Sequence, residues 1–370
     1  MPYTPPRPLR LRGAALPAVG GLRVYVCGIT PYDVTHLGHA ATYLWVDAAV
    51  RVVRAQGTAV QVARNVTDID DGLLREARRR DTSPDLLGAL QRAAFDASMA
   101  RLRVRAPDLQ PTAVQSVRQV LQLAQGLLDA GAGYLRDGTV YGRTGRAWAA
   151  ADLDEGTARA LATEYDDHPD DPAKDDPFDV AVWRAAATGE PSWPSPWGPG
   201  WPGWHAECAA MVLATYGASI DLHAGGADLR FPHHAAEAAL AEAVTGVRPF
   251  ARAWLHAGVV GLGGAKMAKS TGNMVMVDDL LARHSVAAVR LLCLHRPWAL
   301  DWDFDPGLLV AAEDTLERLY RAGGRPGGEP AVRAVDEALL DNLDVPRAVE
   351  VALEAGGPAT RRLLDVLQLG

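Results

Sequence analysis

Leu22-Arg23-Val24-Tyr25-Val26-Cys27-Gly28-Ile29-Thr30-Pro31 is the stretch that decides the fold. Residues 22–27 alternate apolar and polar positions and are rich in β-branched and aromatic side chains, the period-two signature of a strand. From about Leu37 to Ala55 apolar residues recur at helical spacing, and Gly57 stops the run. Residues 58–63 read as a second strand. Parallel strands need a crossover connection, so strand, helix and strand in this order form a βαβ unit and seed a parallel sheet. The expected class is α/β.

Further along, residues from about Asp68 to Gly131 are mostly helical in pattern, with Pro84, Pro107 and Pro111 marking breaks. Residues 133–180 lose that periodicity and include the Pro- and Asp-rich run His168–Pro177, so they read as a loop-rich insertion between halves of the sheet. Gly189 to Trp204 holds four of the ten tryptophans. So much rigid aromatic surface suggests a wall or lid packed on the core. Sheet-like runs return near 219–224 and 253–260. Gly323-Gly324-Arg325-Pro326-Gly327-Gly328 has the composition of a linker, and the residues from 329 to 370 suffice for two or three short helices. The expected division is an N-terminal segment 1–21, a first half of a catalytic domain 22–132, a connective insertion 133–204, a second half 205–300 and a C-terminal helical region 301–370.

Composition narrows the class of partner. The chain has 370 residues, long enough for a substantial core, and a formal net charge of −8, which argues against a nucleic-acid backbone as a general partner. No run of about 18 apolar residues suggests a membrane span, and Arg7 and Arg10 are followed by no apolar segment of a secretory signal. Three widely spaced cysteines, Cys27, Cys208 and Cys293, make no disulfide framework, so a reducing compartment, the cytoplasm, is expected.

Two short motifs suit a polyphosphate. His36-Leu37-Gly38-His39 opens the first helix, where unpaired N–H groups and a positive partial charge favour an anion. His36 and His39 are three apart and share a face, and Gly38 lets a nucleotide approach the backbone. Lys266-Met267-Ala268-Lys269-Ser270 comes after the glycine-rich run Gly261-Leu262-Gly263-Gly264. Lys266 and Lys269 on such a loop stabilise charge developing on a leaving pyrophosphate. Either motif alone is ordinary: a structural histidine pair, or a solvated basic loop.

A third constellation has metal-ligand character. Cys27 ends the first strand, Cys208 lies in Trp204-His205-Ala206-Glu207-Cys208, and His233 stands four residues before Glu237, a spacing that puts both on one helical face. Buried cysteines are more often small hydrophobes, and the spacing alone does not decide between these readings.

The order of the two phosphate motifs resembles that of class I aminoacyl-tRNA synthetases, whose signatures read His-Ile-Gly-His and Lys-Met-Ser-Lys-Ser. Tyr25 to Asp33, Asn65-Val66-Thr67-Asp68-Ile69-Asp70-Asp71, Pro202 to Cys208 and Phe231-Pro232-His233-His234 are similar to cysteinyl-tRNA synthetases and their close relatives, over about residues 22 to 320. The resemblance implies a Rossmann (HUP-type) parallel sheet with a helical insertion and a short C-terminal helical bundle. It implies one Zn2+ per chain on Cys27, Cys208 and His233, with Glu237 a candidate fourth ligand, and Mg2+ with ATP. Gly28, Thr30, Thr67, Trp204 and Asp228 would bind the substrate cysteine. His36, His39, Lys266 and Lys269 would be catalytic, with Gly38, His39, Lys266, Lys269 and Ser270 binding ATP. Each has a plainer alternative, Trp204 as packing and the threonines as turn hydrogen-bonders. Cys293, in the apolar run Val289–Leu294, reads as core.

Two features separate the relatives. Cysteinyl-tRNA synthetases continue into a sizeable helical anticodon region, whereas this sequence stops at Gly370, and residues 329–370 carry eight acidic side chains against four arginines. Thr35 to Tyr43 and the early stop resemble the mycothiol-pathway cysteine ligases of actinobacteria. These imply ATP-dependent formation of cysteinyl-adenylate and transfer to the amine of glucosaminyl-inositol, with ATP, L-cysteine and a small amino-sugar as partners, and neither tRNA nor membrane. A compact cysteinyl-tRNA synthetase, a paralogue using another amino acid or amine, and an inactive zinc-binding module are the competing readings. Glu237 fits the tRNA-synthetase pattern better than that of the ligases, Ala235 and Ala236 replace the usual polar pair, Trp201 stands where arginine is usual, and Ala268 replaces the serine of the lysine loop.

Overall fold

The computed structural model describes residues 6–32, 35–188, 190–267 and 272–370. Its centre is a four-stranded parallel sheet. The first core strand, Leu22–Ile29, pairs with Val60–Val66 on one side and with Ile220–Gly226 on the other, and Ala251–Ala257 adds beyond the latter. Helix Leu37–Arg54 makes the first crossover and is buried nearly all round, through Leu44, Trp45, Val46 and Val53 among others. A helix apolar on most faces belongs between layers, and here it lies between the sheet and the C-terminal helices.

Strand order reverses at Leu22–Ile29, whose two neighbours lead away in opposite directions. In open α/β sheets the crevice at that reversal, beyond the carboxyl ends of the strands, is where ligands bind. The strand breaks register there, between Val26 and Ile29. Gly28 is required at the break, since a Cβ on it would fall 1.6 Å from the carbonyl oxygen of Asn65.

The segment 133–180 departs from the loop-rich expectation. Gly133–Arg136, Thr139–Gly142, Val180–Ala185 and Gly200–Pro202 form an antiparallel four-stranded sheet in sequence order. The acidic run that reads as loop supplies the acceptors for this sheet. Tyr134 and Tyr141 stack at 5.4 Å and donate their hydroxyls to Asp179 and Asp171 at 2.9 and 3.0 Å. Arg136 and Arg143 both reach Asp175. Trp201 is buried in the last of these strands under the Arg184 guanidinium at 4.5 Å, so the tryptophan-rich stretch is a wall.

The glycine-rich segment 323–328 is no free linker. It closes the helix Pro306–Gly323 against the turn before the last helix, where a Cβ on Gly357 would lie 1.9 Å from the oxygen of Gly327. The helices Val332–Leu340, Val345–Ala355 and Gly357–Leu367 complete a small bundle. Among the described residues no helix is long and apolar enough to cross a membrane.

Candidate active site

A cleft of about 550 Å³ opens at the strand-order reversal, and its wall gathers residues from distant parts of the chain. Cys27, Gly28, Thr30, His36, Gly38, His39, Thr67, Trp204, Cys208, Asp228, His233 and Lys266 all line it. Glu237, fully buried, lies behind that wall. Lys269 and Ser270, and with them Ala268, lie outside the described residues.

The mouth of the cleft is polar. His36 caps helix Leu37–Arg54, its Nδ1 accepting from Gly38 N at 3.1 Å, and its ring lies 4.0 Å from that of His39. The segment beyond the lysine loop is tied to this helix start: Leu37 N donates to the Val275 carbonyl at 2.8 Å and Val277 N to that of Thr35 at 3.2 Å. Burial lowers His39 to about 4, so its ring is neutral near pH 7 and offers an N–H rather than a charge. Lys266 Nζ lies 2.7 Å from Asp228 Oδ2. Burial opposes the charge on this lysine, but the Asp228 carboxylate outweighs it and holds Lys266 at about 12. Asp228 thus partners the lysine of the phosphate motif.

The floor is sulfur and nitrogen. Cys27, Cys208, His233 and Glu237 each offer one ligand atom, all within 4.8 Å of one another and all buried. His233 Nε2 lies 3.0 Å from Glu237 Oε1, and Cys27 Sγ lies 3.4 Å from the same oxygen. Burial pushes both thiols up, and for Cys27 the neighbouring Cys208 and Glu237 add to it. Two sulfurs, an imidazole and a carboxylate buried together could hold a metal ion. Trp204 stacks on His233 at 4.2 Å, and Thr30 and Thr67 join hydroxyls at 2.8 Å beside the floor.

Several residues that sequence reasoning gave no role belong here. Asn65 accepts from Gly28 N at 2.5 Å through Oδ1 and donates from Nδ2 to Cys208 Sγ at 2.9 Å, which fixes both the strand break and the thiol. His223 Nε2 lies 3.0 Å from Glu237 Oε2, and Cys27, His223, His234 and Glu237 form a second, overlapping donor group. His223 Nδ1 and His234 Nε2 have no partner among the described residues. The available signal was a charged or polar residue inside an apolar strand, as in Ile220-Asp221-Leu222-His223. Tyr165, from the insertion, reaches Lys266 at 3.4 Å and stacks on Trp204 at 6.3 Å.

Known proteins with a similar chain point the same way. The family of class I tRNA synthetases, (C) catalytic domain, matches residues 17–314. A protein from Acidothermus cellulolyticus named L-cysteine:1D-myo-inositol 2-amino-2-deoxy-alpha-D-glucopyranoside ligase is 44% identical over 336 residues, spanning 89% of this chain and 83% of that protein. Proteins of the same name from Tsukamurella paurometabola and Frankia casuarinae are 43% and 42% identical, spanning 92% and 93% of this chain and 86% and 77% of theirs. Among solved structures, Mycobacterium tuberculosis methionyl-tRNA synthetase in complex with methionyl-adenylate superposes with a TM-score of 0.64 at 17% identity, over 95% of this chain and 82% of that one. That likeness speaks for the fold.

Proposed function

The chain belongs to the class I (C) tRNA synthetase catalytic-domain family, and from that premise we propose that it is an ATP-dependent, AMP-forming cysteine ligase. Its acceptor is the amine of glucosaminyl-inositol, the substrate pair named for its relatives, and the reaction serves mycothiol biosynthesis in the cytoplasm. One observation carries the reading: a cluster of two thiols, an imidazole and a carboxylate forms the floor of the cleft whose mouth bears His36, His39 and Lys266.

The donor set suits Zn2+, which takes sulfur, nitrogen and oxygen ligands in tetrahedral sites. Cys27, Cys208, His233 and Glu237 would hold it, and when bound it supplies a soft partner for the substrate thiol that a serine hydroxyl cannot match. Thr30, Thr67 and Trp204 stand beside that position and orient the amino acid, while Gly28 leaves room for it against the strand. The cysteine carboxylate attacks the α-phosphorus of ATP, the α–β bridge bond breaks, and pyrophosphate leaves. His36 and the neutral His39 donate N–H groups at the helix start, and Lys266, with Lys269 and Mg2+, offsets the charge on the departing phosphates. Lys266 must leave Asp228 to do so. The neutral amine of the sugar then attacks the activated carbonyl carbon, AMP departs, and the amine loses its proton.

The test is mass spectrometry on protein, ATP, Mg2+ and L-cysteine, with glucosaminyl-inositol in one tube and deacylated cysteine tRNA in another. A cysteine–sugar amide formed with an equal amount of AMP is expected. Charged tRNA without the amide would overturn the acceptor, and pyrophosphate exchange without either product would point to another amine.

A further inference from the structure

His233 is held from two sides by one turn of the insertion. Tyr165 stacks on Trp204, which covers the His233 ring, and two residues further on Asp167 reaches the other edge of the same ring through His205. Asp167 Oδ1 and Oδ2 lie 2.9 and 3.0 Å from His205 Nε2, and His205 Nδ1 lies 2.7 Å from His233 Nδ1. Both histidines are 2% exposed. The turn itself is held in place at some cost. Asp166 and His168, on either side of Asp167, take left-handed φ of +58° and +47°, and Lys174 donates to the Asp167 carbonyl.

Hydrogen-bond bookkeeping gives this thread a direction. The Asp167 carboxylate accepts only, so His205 Nε2 carries the hydrogen. In a neutral His205 that leaves Nδ1 bare, and it accepts from His233 Nδ1–H. His233 Nε2 is then bare as well, and it faces Glu237 Oε1 at 3.0 Å. Two lone pairs at that distance repel unless a proton or a metal cation lies between them. The reverse order would put a hydrogen on His233 Nε2 and a positive charge on His205, and that would disable the ligand. A carboxylate–histidine thread ending on a ligand histidine is how outer groups fix tautomer and ring orientation at metal sites.

We propose that Asp167 is a positioning residue, which through His205 presents the bare Nε2 of His233 to the metal and so ties the insertion to the cysteine-binding floor. The inference rests on the reading that Cys27, Cys208, His233 and Glu237 hold Zn2+. It gives the acidic stretch around His168–Pro177, which composition marks only as loop, a part in cysteine recognition.

The experiment compares the wild type with Asp167→Ala, Asp167→Asn and His205→Ala by zinc competition with a chromogenic chelator, alongside pyrophosphate exchange. Loss of such an outer group typically weakens a metal site by about 10- to 100-fold, and that loss is expected for Asp167→Ala and His205→Ala. KM for cysteine should rise in the same variants while KM for ATP stays, because the thread touches only the floor. Asp167→Asn keeps an oxygen that accepts from His205 Nε2–H and should restore most of the affinity. Zinc retention in Asp167→Ala equal to wild type, with or without a lower melting temperature, overturns the inference alone. Wild-type protein that takes up no zinc removes the proposed metal chemistry and this inference together.

Discussion

Arg290 and Glu237 are both fully buried, and their surroundings are built differently. Arg290 donates from Nη2 to Asp47 at 2.8 Å, from Nε to the Leu367 carbonyl at 2.9 Å and from Nη1 to that of Leu102 at 2.8 Å. Asp47 also accepts from Arg51 at 2.8 Å and from Arg105 N at 3.1 Å. Charge and hydrogen bonds close on themselves there, and the cluster locks the first crossover helix, the helix Val286–Leu294 and the C-terminal bundle together. Around Glu237 the partners are the Cys27 thiol and two histidines, His223 and His233, with Cys208 in the same donor group. Nearby, His223 Nδ1, His234 Nε2 and both oxygens of Glu207 have no partner among the described residues. Burial holds the Glu207 carboxyl well above its usual range and so favours its neutral form. A scaffold cluster satisfies every group it buries, because each unpaired one costs stability. The cluster around Glu237 keeps donors to spare, which supports the metal site proposed for it.

The sharpest way to break this contrast is to take one donor from each cluster. Cys208→Ala is expected to lose bound zinc and to cut cysteine-dependent pyrophosphate exchange by about a thousandfold, the scale of removing a principal electrostatic contact. Elemental analysis of the purified variant checks the first part, and unchanged metal content would remove Cys208 from the ligand set. Arg290→Ala should do the opposite. Removing Arg290 leaves the Leu102 and Leu367 carbonyls without this donor and Asp47 with Arg51 as its remaining ion pair, a loss of about 3 kcal/mol in unfolding free energy, with zinc content as in wild type. Urea unfolding with metal analysis on the same sample reads both. If Arg290→Ala released zinc while Cys208→Ala mainly lowered stability, the assignment of scaffold and site would have to be exchanged.

The two clusters also differ in how far the sequence announces them. The parallel core and the helix start at His36 were legible because each rests on a local signal, alternation in the strand and helical spacing after it. The grouping of Cys27, Cys208, His233 and Glu237 came only with the family resemblance, since spacing alone leaves it open. The sheet between Gly133 and Pro202 was missed because its strands are short and its acidic stretch resembles solvent-exposed loop, although Asp171, Asp175 and Asp179 bond tyrosines and arginines of the sheet. His223 and the Asp167–His205 thread were missed for another reason. Their partners lie 14, 28 and 38 residues away, and only tertiary packing brings them together. Buried polar networks specify themselves through geometry, and a one-dimensional pattern records only that a polar residue occurs where an apolar one is expected. The lysine loop shows the limit from the other side, since Lys266 is placed against Asp228 while Lys269 and Ser270 lie outside the described residues.

The smallest expected effect sharpens the comparison most. Cys293 is as buried as Cys27 and Cys208, and burial pushes its thiol up to about 12, so burial and chemistry alone do not separate the three. Position does. Cys293 sits in the helix Val286–Leu294 among Leu291, Leu292 and Leu294, within the apolar core that includes the C-terminal helices, and no histidine or carboxylate joins it in the donor groups among the described residues. It is a small hydrophobe that contains sulfur. Cys293→Ala should therefore cost about 1–2 kcal/mol, the transfer and cavity terms for one lost atom, and leave zinc content and cysteine KM unchanged. The measurement is a denaturant titration beside pyrophosphate exchange. A tenfold rise in cysteine KM with wild-type stability would mean that the third thiol communicates with the floor of the cleft, and the line drawn between scaffold sulfur and site sulfur would then fall in the wrong place.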